Sequence, residues 1–199
     1  MKTIIAAGVV AACSAATTAS VLYSVREDDD VLVRIDISDP NSPAFSDVGS
    51  LGTSFAFGGM TFGPGGDLYM VAGRGNDSLY TVDTGDGSAS LVGRHGINDM
   101  FALAWDTSTN TMYGTQFSGG SGLYTLNPAN GSATTINPGM ASPIGGLTYN
   151  ADTDQLVGSQ DGAGDLWDID RATGGQTLLY DGPFSNDSGL AYDPANNYY

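Results

Sequence analysis

Residues 145–182 read GGLTYNADTDQLVGSQDGAGDLWDIDRATGGQTLLYDG. Four short apolar runs, GGLTY, QLVGS, LWDI and QTLLY, are separated by segments rich in Asp, Asn and Gly. Runs of four to six residues bounded by turn-formers are the pattern of β-strands joined by tight turns. The segment therefore predicts a four-stranded meander.

Versions of the same unit fill most of the chain. The aromatic that ends the first run recurs as Phe62, Trp105, Tyr149 and Tyr192, at spacings of 43, 44 and 43 residues. The third run recurs as LVRID (32–36), LYTVD (79–83), LYTLN (123–127) and LWDID (166–170). Apolar residues within it fall on one face at period two: Val33/Ile35, Tyr80/Val82, Tyr124/Leu126 and Trp167/Ile169. A repeat of 40–45 residues with four strands per unit is the signature of a β-propeller blade. The expected fold is all-β, a propeller with four-stranded blades of about 43–44 residues. The first strand carries a small central residue (Thr61, Ala104, Thr148, Ala191), as expected where blades crowd the axis.

Full copies cover residues 58–93, 101–136 and 145–180. Residues 21–50 begin on a second strand, VLYSV, so something else must supply the first strand of that blade. Residues 188–192, SGLAY, supply a first strand with no partner in their own copy. Two arrangements follow. SGLAY pairs with VLYSV and closes a four-bladed ring, placing Tyr192 beside Tyr23, or the four blades belong to a larger propeller.

Residues 1–20 have the features of an export signal: Lys2, an apolar run from Ile4 to Ala12, then small residues. The run is too short for a membrane span, and no transmembrane segment is expected elsewhere. Cleavage after Ala16, Ala19 or Ser20 is one reading. The other is lipidation, because Val10-Ala11-Ala12-Cys13 resembles a bacterial lipobox with Val in place of the usual Leu. The expected propeller domain is residues 21–199, and the expected location is extracellular, periplasmic or cell-surface. Cys13 is the sole cysteine, so no disulfide forms within the chain.

Lys2 is the only lysine and Glu27 the only glutamate, and formal net charge is −16. So few strong helix formers with charged heads argue against exposed helices. So acidic a surface repels phosphate backbones and anionic headgroups, which excludes nucleic acid as a partner class.

The pattern LYTLNPANGSA followed by GLTYNADTDQL resembles secreted bacterial β-propeller repeat proteins of the NHL/YVTN-like kind. That resemblance implies the architecture and leaves function open, since propellers host binders and enzymes alike. Asp170-Arg171-Ala172-Thr173-Gly174 matches the start of the quinoprotein docking motif, but Leu178 stands at its Trp position. Gluconolactonase-type propellers bind a channel metal through Glu, Asn and Asp, and Glu27 lies in a loop. No equivalent of the His and Glu pair of streptogramin-lyase-like propellers is recognisable. His95 has no second histidine to work with and is expected to be a solvated connector residue.

The turns between strands one and two, and three and four, are stereotyped. The loops between strands two and three and the blade connectors vary, and in a propeller these share one face around the channel mouth. Variable loops on a rigid scaffold are where recognition sits. The expected function is a non-catalytic, monomeric binding module for a protein or carbohydrate ligand, read by Arg26, Asp28, Arg74 and Asp77. The alternative is a divalent-metal-dependent hydrolase or lyase of the lactonase-like type. No cofactor is required on the first reading. A calcium site is expected where Asn98-Asp99 and Asn186-Asp187 occupy near-equivalent connectors, unless those pairs merely shape surface turns.

Overall fold

The computed structural model describes residues 6–12, 21–39, 41–117, 121–183, 189–193 and 199. It contains four four-stranded antiparallel sheets, each a simple meander, and together they form a four-bladed β-propeller. The first blade comprises β1 (Ala6–Ala12), β2 (Val21–Arg26), β3 (Val31–Asp36) and β4 (Ala44–Ser50). The second comprises β5 (Gly59–Phe62), β6 (Leu68–Val71), β7 (Ser78–Val82) and β8 (Ala89–Arg94). The third comprises β9 (Met100–Asp106), β10 (Thr111–Gln116), β11 (Gly122–Leu126) and β12 (Ala133–Asn137). The fourth comprises β13 (Ile144–Asn150), β14 (Gln155–Gln160), β15 (Leu166–Ile169) and β16 (Gln176–Tyr180). A 3-10 turn at Pro64–Gly66 is the one helical element among the described residues.

The repeat phase read from the aromatics is the register of the sheets. Phe62 pairs with Leu68, Trp105 with Met112 and Tyr149 with Leu156. Middle strands are apolar at consecutive positions because both blade faces are covered. Leu68 and Met70 of β6 pack toward the first blade, while Tyr69 and Val71 pack toward the third. The core is therefore three inter-blade layers rather than one central cluster.

The turns explain the Asp, Asn and Gly content. In the strand three–four turns, Asp83, Asn127 and Asp170 each accept from the backbone N–H two residues on, at 2.7–2.9 Å. Gly87, Gly131 and Gly174 then take positive φ and donate back to the same three residues' carbonyls. These glycines also meet the preceding blade. A Cβ on Gly131 would lie 2.6 Å from the Gly93 carbonyl carbon of β8, and one on Gly93 would lie 1.9 Å from the Asn130 oxygen. Each turn thus locks onto the outer strand of its neighbour, backbone against backbone at Gly87 and Gly131 and against the Asn137 side chain at Gly174.

The inner strands β1, β5, β9 and β13 lie side by side in that order. They approach so closely that a Cβ on Gly59 would meet the Ala102 Cα at 2.7 Å. Thr61 Oγ1 accepts from the Trp105 N–H at 3.1 Å and ties β5 to β9.

The first strand of the first blade is β1, inside the segment with export-signal features, and Val10 lies opposite Tyr23. Pairing of residues 189–192 with VLYSV, one of the two arrangements considered, is not formed. Tyr23 has Val10 on one side and Arg34 on the other, so both edges of β2 are taken. Tyr192 instead donates to Asp152 at 2.5 Å beside the β13–β14 turn, and that bond, with burial, pushes its phenol up to about 12. A Cβ on Gly146 of β13 would lie 2.7 Å from the Gly189 carbonyl carbon, so residues 189–192 run along the fourth blade.

Candidate functional site

Strand two–three loops and blade connectors meet on one face, and there three phenylalanines form a ladder. Phe57 is in the connector before β5, Phe101 is the second residue of β9, and Phe117 follows β10. The Phe57 and Phe101 centroids are 6.0 Å apart at 24°, and those of Phe101 and Phe117 are 5.0 Å apart at 9°. Phe101 is 7% exposed, while Phe57 and Phe117 are half-buried. The Arg74 guanidinium lies 4.4 Å from the Phe57 centroid and 6.0 Å from that of Phe101, within cation–π range of both.

The backbone sets this arrangement. Phe57 has φ +57°, uncommon for a residue with a bulky side chain. Its N–H donates to the Glu27 carboxylate. Ala56 bridges Gly73, accepting from the Arg74 N–H at 2.9 Å. Gly73 is required there, because its φ is +76° and a Cβ would fall 1.9 Å from the Ala56 oxygen. The left-handed Phe57 and the Ala56–Gly73 bridge together place the ring under the guanidinium. Strained backbone held by its surroundings clusters at functional sites.

The other residues expected to read a ligand are differently placed. Arg26, at the end of β2, is engaged by two carboxylates: Asp29 at 2.7 and 2.9 Å and Asp47 at 2.8 and 3.0 Å. Asp28 is exposed in the β2–β3 turn. Asp77 pairs with Arg94 at 3.2 Å, and its carbonyl accepts from the His95 N–H at 2.8 Å. Arg74 is thus the residue of the four that joins the aromatic ladder.

Of the calcium set, Asn186 and Asp187 lie outside the described residues, as does Cys13. Asn98 and Asp99 border the ladder. Asp99 has φ +57°, and its Oδ1 accepts from the Gly75 N–H at 3.3 Å. The Asn98 carbonyl accepts from Gln116 Nε2 at 3.1 Å. Both groups tie neighbouring loops together. Among the described residues, no three His, Cys, Asp or Glu side chains converge to hold a metal ion.

His95 is a correction: it is buried at 7% exposure, not solvated. Its Nδ1 accepts from the Ile97 N–H at 3.2 Å, which folds the connector over the ring. Burial lowers its pKa, against the opposing effect of nearby Asp77. Its Nε2 is buried without a hydrogen-bond partner among the described residues.

The cleft between the inner strands is narrow, with room for about 10 Å³, about one water. Gly59, Ala102, Gly146 and Leu147 are in its wall.

Two of the three phenylalanines stand out from the repeat. At the position of Phe101 the other copies have Gly58, Gly145 and Ser188; at that of Phe117 they have Glu27, Gly73 and Asp161. A large aromatic replacing glycine beside the axis is an outlier that turn-centred comparison of loops passes over.

No protein-family model matches the chain, and no curated protein matches it in sequence. Solved structures do. A chain of the nidogen–laminin complex superposes with a TM-score of 0.69 at 12% identity, over 96% of this chain and 69% of that one. A Bacteroides thetaiotaomicron protein of unknown function gives 0.59 at 15% identity, over 86% of this chain and 42% of that one. A gluconolactonase of Xanthomonas campestris gives 0.59 at 13% identity, over 88% and 63%. The chain spans between two fifths and about two thirds of the length of these structures. At such identities the likeness shows the fold, a β-propeller, and nothing finer.

Proposed function

We propose that the protein is an exported, non-catalytic binding module whose partner is a protein, recognised on the face carrying Arg74. One observation carries this reading: an exposed arginine laid on a ladder of three aromatic rings. Arginine and aromatic side chains are enriched at the cores of protein interfaces and dominate their energetics. The nidogen–laminin structure, by its name a complex between proteins, supports a protein partner. Export rests on the signal-like sequence of residues 1–20, a segment whose residues 6–12 also form β1.

The competing reading is a metal-dependent hydrolase, which draws on the likeness to a gluconolactonase. The described wall of the central cleft presents backbone and apolar groups to a substrate, not carboxylates. Panning a displayed random-peptide library against the native protein tests the proposal. Peptides that bind the native protein and are lost with the Arg74→Gln/Phe117→Ala double variant support it. Peptides that bind native and variant equally place recognition elsewhere and overturn it.

A further inference from the structure

The chain has five arginines against 22 acidic residues. Four are ion-paired: Arg26 with Asp29 and Asp47, Arg34 with Asp36, Arg94 with Asp77, and Arg171 with Asp106 and Asp154. Arg74 makes no ion pair with a described residue. With acidic groups so abundant, any neighbouring loop could have supplied a carboxylate. Instead, a strained Phe57 and the glycine-dependent bridge at Gly73 seat the guanidinium on an aromatic surface. A guanidinium held over an aromatic ring needs no carboxylate to stay there and keeps its N–H donors available for one.

We infer that Arg74 and the phenylalanine ladder form a site for a single carboxylate carried on an aromatic or planar apolar group. The guanidinium fork matches a carboxylate in a two-point, charge-assisted bond. The attached ring lies against the half-buried Phe57 and Phe117 edges. The net charge of −16 limits the ligand further: a polyanion is repelled at long range, whereas one carboxylate gains more at contact than the field costs. Two sources share this chemistry, a free aromatic acid and a peptide ending in an aromatic residue. The inference rests on the reading of this face as the recognition surface and names what it recognises.

Benzoate is the probe, titrated into the full chain by saturation-transfer NMR, with benzyl alcohol and acetate as the ring-only and charge-only comparisons. Benzoate is expected to bind saturably with a dissociation constant of about 1 mM, and both comparisons at least about tenfold more weakly. Arg74→Gln, checked for an unchanged thermal melt, weakens benzoate at least about tenfold, while Arg94→Gln leaves it unchanged. Phe117→Ala weakens benzoate and leaves acetate as it was. Acetyl-Gly-Phe with a free carboxylate then separates the sources: tighter binding than benzoate assigns the peptide terminus, and equal or weaker binding assigns the free acid. Equal binding of benzoate and benzyl alcohol, no saturable benzoate binding, or no effect of Arg74→Gln overturns the inference. If benzoate fails while panned peptides still depend on Arg74, the ligand chemistry is wrong and the recognition face stands. If the peptides fail while benzoate binds, the protein partner is wrong and the carboxylate site stands.

Discussion

Replacing Arg171 by Met tests how the third and fourth blades are held together. Arg171 Nη1 lies 2.6 Å from Asp106 Oδ2, and Nη2 lies 3.0 Å from Asp154 Oδ2. Asp106 has no exposed surface. Burial pushes its carboxyl up, but bonds from Thr109, Ser108 and Arg171 outweigh that and hold it at about 2, against 3.8 when unperturbed. A carboxylate so held contributes about 2.5 kcal/mol at neutral pH. Removing one partner of a buried pair costs about 3–5 kcal/mol. Asp106 keeps its four bonds from Ser108 and Thr109, so the low end applies, about 3 kcal/mol. For a chain of this length that is a fall in Tm of about 6–12 °C. The assay is urea unfolding with calorimetry at pH 7. Adding Asp106→Asn to the variant removes the stranded charge and recovers about half the loss. The folded pKa of Asp106 is depressed, so its contribution is complete above pH 3.8 and is lost as pH falls through about 2. The gap between native and variant therefore closes in acid. A loss below about 1 kcal/mol at pH 7, or no recovery in the double variant, refutes the reasoning.

Three further outcomes are expected. Gly131→Ala is more damaging than Gly162→Ala, since both have positive φ but only Gly131 abuts another blade; urea unfolding should give about 1–2 kcal/mol for Gly162→Ala and at least about 1 kcal/mol more for Gly131→Ala. Because burial depresses the folded pKa of His95, the unfolded chain takes the proton first, so stability is highest above pH 6.5 and declines as pH falls below it. His95→Asn should flatten that slope, which is at most about 1.4 kcal/mol per pH step. Glu27→Gln keeps an acceptor for the Phe57 N–H, whereas Glu27→Ala removes it and should free Phe57 from its left-handed conformation, seen as changed ring shifts for Phe57 and Phe101 in NMR spectra.

The blades were legible because a one-residue slip in a strand moves every side chain to the opposite inter-blade layer, so equivalent residues recur at a fixed pitch of 43–44. The Asp83, Asn127 and Asp170 turns were legible for the same reason: side-chain capping and positive φ require particular residues. The burial of His95 is not legible in the sequence, because it arises from how the connector folds back, with the Ile97 N–H donating to His95 Nδ1. The pairing of β2 with β1 was hidden because apolar, small-residue segments suit an export signal and an inner strand equally. Of the expected recognition residues, Arg26 and Asp77 looked like Arg74 in sequence. What separates them is which carboxylates come within reach after folding, a long-range outcome. The aromatic ladder joins residues from a connector, an inner strand and a loop, and local patterning does not carry that.

The most direct test of the central claim is catalytic. The purified protein is incubated with gluconolactone in turn with calcium, magnesium, manganese and zinc, and acid release is followed by pH-stat. A binding module predicts a rate equal to that of buffer with the same metal. Metal-dependent turnover of about 1 s⁻¹ or more, abolished by chelator and restored by the metal, would contradict the account.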